Sequence, residues 1–117
     1  MITIFGIRNC DTMKKARNWL DSHGIGYRFH DYKSEGIDEA HLAKWIASEG
    51  IDVVLNRAGT TFRKLTDEDK ANLSEDKAIA LMIAQPSLIK RPVLEANGAI
   101  TIGFKPELYE ALFSSSR

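Results

Sequence analysis

The apolar and polar positions change period five times along the chain. Ile2, Ile4 and Phe5 form a short β-rich run ended by Gly6, which predicts a first strand. After the loop Ile7-Arg8-Asn9-Cys10, the apolar residues Met13, Ala16 and Leu20 recur at helical spacing between Asp11 and His23, with Gly24 as the stop. Tyr27 and Phe29 then alternate with Arg28 and His30, as in a strand with unlike faces. Strand, helix, strand in this order predicts a right-handed βαβ unit with two parallel neighbours.

The middle is helical. Asp38 is the expected N-cap of a helix carrying Leu42, Trp45 and Ile46, with Ile37 placed to staple onto Leu42 and Gly50 closing it. Val53-Val54-Leu55 forms a short apolar stretch, followed by an ordered loop or turn over Asn56 to Thr61. Thr66 and Ser74 are expected to cap two further helices, the second buried through Ile79, Met82 and Ile83 and ended by Pro86. Pro92 to Glu95 and Ala99 to Ile102 flank Asn97-Gly98, a strong hairpin signal. Pro106 suits the first turn of a last helix carrying Leu108, Leu112 and Phe113, ahead of a frayed end over 114–117.

The resulting order, βαβ, helices, ββα, predicts the α/β class. It is a thioredoxin-like arrangement with a helical subdomain inserted between the two halves at about 36–86, all within one domain over 1–117.

Composition narrows the setting. The chain has 117 residues, 44% of them hydrophobic and 27% charged, enough for one core beneath a solvated surface. Sixteen basic and sixteen acidic residues cancel, which argues against direct nucleic-acid binding. The single cysteine excludes an internal disulfide. No apolar run approaches the roughly 18 to 20 residues that span a bilayer, and no leader is readable at the N-terminus. The expected setting is the reducing cytoplasm, where a free thiol persists.

That thiol carries the chemistry. Cys10 falls between a strand and a helix, where unpaired N–H groups and the helix dipole stabilise an anion and lower a thiol pKa. Arg8 would add positive charge there, and Asp11 would oppose it unless it turns away. Cys10-Asp11-Thr12-Met13 occupies the place of a C-x-x-C motif with Met13 as the second residue, so an internal dithiol mechanism is excluded. A monothiol route remains, with an outside thiol such as glutathione resolving a mixed disulfide.

Arg91-Pro92 opens a strand. Most X–Pro bonds are trans; a cis bond is the open alternative here, because thioredoxin-like folds resemble one another in placing a cis-proline beside the active-site loop. The Arg91 side chain can bind an oxyanion or carboxylate. Arg57, Arg63 and Lys105 are weaker anion-binding candidates, with Lys105 at the start of the last helix. His23, His30 and His41 lack metal-ligand spacing, so no metal is expected. Trp19 and Trp45 are expected to pack, and no glycine-rich phosphate loop is present.

Three blocks, Phe5-Gly6-Ile7-Arg8-Asn9-Cys10-Asp11-Thr12-Met13-Lys14-Lys15-Ala16, Leu55-Asn56-Arg57-Ala58-Gly59-Thr60 and Ile89-Lys90-Arg91-Pro92-Val93, resemble the ArsC-like family of arsenate reductases, Spx regulators and YffB proteins. The Cys-Asp-Thr segment looks most like the YffB branch. The resemblance implies a glutathione-linked thiol reaction in the cytoplasm, with no tightly bound cofactor and glutathione as co-substrate. In arsenate reductase the cysteine works with three arginines. Arg91 matches one of these, while the other two positions appear as Asn56 beside Arg57 and as Lys105-Pro106.

Three functions follow as expectations. The leading one is a glutathione-dependent thiol reductase with Cys10 as nucleophile; Arg8, Asn9, Thr12, Arg57, Arg91, Pro92 and Lys105 are its candidate glutathione or substrate contacts. Its substrate would be a small oxyanion or a protein thiol or disulfide. The second is arsenate reduction coupled to glutathione or glutaredoxin. The third is a non-catalytic, Spx-like regulator that binds RNA polymerase through Arg8, Lys14, Lys15 and Arg17.

Overall fold

The computed structural model describes residues 2–114. In chain order the first elements are β1 (Ile2–Gly6), α1 (Asp11–Ser22), β2 (Arg28–Asp31), α2 (Tyr32–Glu35), α3 (Glu39–Glu49) and α4 (Ile51–Val54). There follow α5 (Thr60–Arg63), α6 (Asp67–Lys70), α7 (Glu75–Ala84), a 3-10 turn (Pro86–Leu88), β3 (Val93–Ala96), β4 (Ala99–Ile102) and α8 (Pro106–Ser114). They form two compact units, Met1–Asp31 with Arg91–Arg117, and Tyr32–Lys90.

The first unit is built on a sheet of order β2-β1-β3-β4. β1 runs parallel to β2, with Thr3 opposite Arg28 and Gly6 opposite Asp31. It runs antiparallel to β3, with Ile2 opposite Ala96 and Phe5 opposite Val93. β3 and β4 are the expected hairpin, and Asn97 (φ 53°) and Gly98 (φ 85°) take the left-handed conformations that a two-residue turn of this hand requires. This is the thioredoxin-like arrangement. Met13, Ala16 and Leu20 turn one side of α1 onto the sheet, where with Ile4, Leu94 and Tyr109 they are wholly buried.

Helix α8 turns differently from expectation. Pro106 opens it, but the buried residue is Tyr109, and Leu108 is 46% exposed. Tyr109, Leu112 and Phe113 share the i, i+3, i+4 spacing of one face, and the aromatic ring wins that face over the leucine. Tyr109 meets Phe104 and Trp19 edge-on, at centroid distances of 4.8 and 5.6 Å. The frayed end expected over 114–117 lies, from 115 onward, outside the described residues; Ser114 closes α8.

The second unit is helical and reaches past the expected 36–86 at both ends, taking in α2 at its start. Asp38 caps α3 by accepting the His41 N–H at 2.8 Å, and Thr66 and Ser74 cap α6 and α7 in the same way. Val53 lies in the single helical turn α4 and is 44% exposed; only the next two residues are buried. Leu55 then forms an isolated bridge with Ile89. The polar loop is shorter than expected because Thr60 begins α5. On α7, Ala78 joins Ile79 and Met82 on the buried face, and Ile83 is 41% exposed. Among the described residues no helix is long and apolar enough to cross a membrane.

Candidate active site around Cys10

β1 ends at Gly6, and four residues later Cys10 is the N-cap of α1, with extended backbone (φ −120°, ψ 128°). Its carbonyl accepts the first helical bond, from the Lys14 N–H at 3.0 Å. Its side chain does not cap the helix. The backbone N–H groups of Met13 and Thr12, in the first turn of the helix, nonetheless act on the thiol by favouring its charged form.

Antiparallel pairing supplies the other half of the site. Because Phe5 lies opposite Val93, the residues before β3 run back past the end of β1. That brings Arg91, 81 residues away in sequence, to Cys10, where its Nε–H donates to Sγ at 3.4 Å. The Arg91-Pro92 bond is cis, which settles the alternative left open by the sequence. Pro92 is buried, and its carbonyl accepts the Gly103 N–H at 2.8 Å.

Opposing effects set the thiol. Burial pushes Cys10 up, whereas the Met13 N–H, the hydrogen bond and charge of Arg91, and the Thr12 N–H together carry it below its ordinary value of 9.0. A lowered pKa raises the thiolate fraction at a given pH, and the thiolate is both the nucleophile and the better leaving group in disulfide exchange.

The remaining candidates take different places. Thr12 contributes its backbone N–H. Asn9 and Asp11 are exposed beside Cys10. The Arg8 side chain is 70% exposed; it stands 4.0 Å from the Asp31 carboxylate, with its guanidinium carbon 5.8 Å from the centre of the Phe29 ring. Lys105 is exposed ahead of α8, and its carbonyl accepts the N–H groups of Leu108 and Tyr109. Arg57 and Arg63 belong to the second unit. There Arg57 bonds the Asp52 carboxylate at 3.0 Å and Arg63 bonds the Ala58 carbonyl at 2.8 Å.

Two residues, Gly6 and Arg17, have a part at the site that motif reading did not assign. Met13, in the place of a second cysteine, is wholly buried. Gly6 makes its room: a Cβ there would overlap the Met13 sulfur and lie 2.7 Å from its methyl carbon. A glycine directly before a nucleophile loop was the available signal. Arg17 is the other. Its Nε–H donates to the Tyr27 hydroxyl at 3.3 Å, and its guanidinium carbon is 4.5 Å from the centre of the Phe29 ring. Among the described residues no group of three or more His, Cys, Asp or Glu side chains is placed to hold a metal ion.

The model of the ArsC family matches residues 5–112. A solved YffB protein is 60% identical, with a TM-score of 0.93 over 95% of this chain and 97% of that one. The solution structure of an arsenate reductase (ArsC) related protein from Brucella melitensis is 55% identical, with a TM-score of 0.75 over 96% and 93% of the two chains. An uncharacterized protein of Haemophilus influenzae is 40% identical over 97% of this chain and 100% of its own length. The global transcriptional regulator Spx of Streptococcus mutans is 29% identical over 92% of this chain and 79% of its own.

Proposed function

The chain belongs to the ArsC family, and from that membership we propose that it is a glutathione-dependent thiol reductase working through Cys10 alone. One observation carries the reading: Cys10 stands at the N-terminus of α1 with the Arg91 Nε–H donating to its sulfur at 3.4 Å, a setting that lowers a thiol pKa. The Cys10 thiolate attacks one sulfur of a disulfide substrate, the S–S bond breaks, and the other sulfur leaves as a thiolate. A glutathione thiolate then attacks the partner sulfur of the mixed disulfide and returns Cys10 as a thiolate; a second glutathione reduces the resulting substrate–glutathione disulfide, releasing the substrate thiol and glutathione disulfide. The N–H groups and Arg91 stabilise negative charge on Cys10 both before attack and on departure. With Met13 in the core and no second cysteine, both electrons come from outside thiols. Glutathione is a co-substrate in this reading, and the compartment is the cytoplasm.

Mass spectrometry after incubation with glutathione disulfide tests the proposal. One glutathionyl adduct is expected on the native protein and none on Cys10→Ser, with excess glutathione restoring the free thiol. An ordinary Cys10 pKa together with no adduct would sink it.

The similarity to an arsenate reductase related protein makes arsenate the first oxyanion to assay, with glutathione and glutaredoxin as reductants. The similarity to Spx favours a second reading, a regulator that contacts RNA polymerase. Polymerase capture by a Cys10→Ala variant would support that reading over catalysis.

A further inference from the structure

We propose that Arg8 and Arg17, which share the Phe29 ring, form the site that takes a carboxylate of glutathione while its sulfur reacts at Cys10. The inference rests on the glutathione reading above and deepens it. The two guanidinium carbons lie 5.8 and 4.5 Å from the same ring centre, so their separation cannot exceed the sum of those distances. Both are tied to the nucleophile by chain geometry. Arg8 lies two residues before Cys10, and Arg17 lies seven after it, about two turns along the same side of α1. Phe29 and Cys10 pack against the same core cluster.

The ring fixes the cations without neutralising them. Stacking on an aromatic face leaves the outward N–H groups of a guanidinium free to fork onto a carboxylate. Arg17 commits its Nε–H to the Tyr27 hydroxyl, which orients the group. The neighbouring charges are Asp31, 4.0 Å from Arg8, and Lys14, Asp21 and Arg17 itself, which line one shallow depression on α1. Glutathione carries a carboxylate at each end with its thiol between them. A pair of arginines on the loop and helix that carry the nucleophile, in addition to the one at the sulfur, matches that distribution of charge. A neutral disulfide would gain nothing from the pair.

The test compares two disulfides on the full chain. Rates of mixed-disulfide formation at Cys10 are measured with glutathione disulfide and with neutral 2-hydroxyethyl disulfide, for native protein, Arg8→Gln, Arg17→Gln, the double variant and Arg17→Lys. Each neutral substitution should slow glutathione disulfide about threefold, and the pair about tenfold, as expected for partly screened charge pairs. Hydroxyethyl disulfide should be unaffected, Arg17→Lys, which keeps the charge but loses the fork and the bond to Tyr27, should recover only part of the native rate, and added salt should shrink the native preference. Unchanged rates with glutathione disulfide, or equal losses with both reagents, would overturn the Arg8–Arg17 site and leave the thiol chemistry standing. Native protein that reacts with hydroxyethyl disulfide but forms no glutathione adduct would overturn the glutathione reading as well.

Discussion

Arg91 does two things at Cys10: it donates a hydrogen bond to the sulfur, and it places a positive charge beside it. Replacing it with methionine keeps an unbranched side chain but removes both effects. The pH midpoint for iodoacetamide alkylation of Cys10 should then rise, and the rate at neutral pH should fall severalfold, because only the thiolate reacts. A midpoint unmoved in Arg91→Met would assign the lowered pKa to the helix N–H groups alone. Ionisation also feeds stability. The folded pKa is below the unfolded value of 9.0, so the Cys10 contribution is fully present above 9.0 and is lost as pH falls through the folded value. Melting temperatures of native protein and Cys10→Ser should diverge in favour of the native chain as pH rises through that window. The place of Cys10 between strand and helix could be read from the sequence because strand, short loop and helix are local signals. The Arg91 contact depends on strand register across 81 residues, which no local pattern encodes. The Arg8 and Arg17 stacking on Phe29 is equally non-local.

At the scale of elements, the junction between β1 and α1 depends on one missing carbon. Gly6→Ala would drive a Cβ into the buried Met13 side chain. Overpacking of this kind should cost about 1–3 kcal/mol in urea denaturation; a neutral result would mean that Met13 has an alternative rotamer to occupy. Helix α8 gives the opposite case. The Tyr109 hydroxyl is buried with no hydrogen-bond partner among the described residues, and burial pushes its pKa above the ordinary phenol value. Tyr109→Phe removes an unsatisfied polar atom and keeps the ring, so it should stabilise the fold by about 1 kcal/mol. A loss of stability would reveal a partner for that oxygen. Asp38, Thr66 and Ser74 were legible as caps because a cap is a local contact to a backbone N–H three residues on. The one-turn helices α2, α4 and α5 were not, because four residues are too few to display a 3.6-residue period. Leu108 and Ile83 show the limit of hydrophobicity itself: each obeys helical spacing, and a neighbour on a better-placed face is buried instead.

At the scale of the whole molecule, the groups that set the thiol all come from one of the two compact units. Met13, Thr12 and Arg91 lie in Met1–Asp31 with Arg91–Arg117, as do Arg8 and Arg17. The Tyr32–Lys90 unit has a core of its own, in which Leu42, Trp45, Ala78 and Met82 are wholly buried. Damage to that core should therefore separate stability from reactivity. Leu42→Ala deletes a fully buried side chain and should cost about 2–5 kcal/mol in urea denaturation. Under conditions where the variant remains folded, the pH midpoint of Cys10 alkylation should stay at its native value. A shift as large as that of Arg91→Met would mean that the Tyr32–Lys90 unit also sets the nucleophile. An unchanged midpoint would confine the tuning of Cys10 to the βαβ–ββα unit, whose backbone supplies the two N–H donors and whose strand register delivers the arginine.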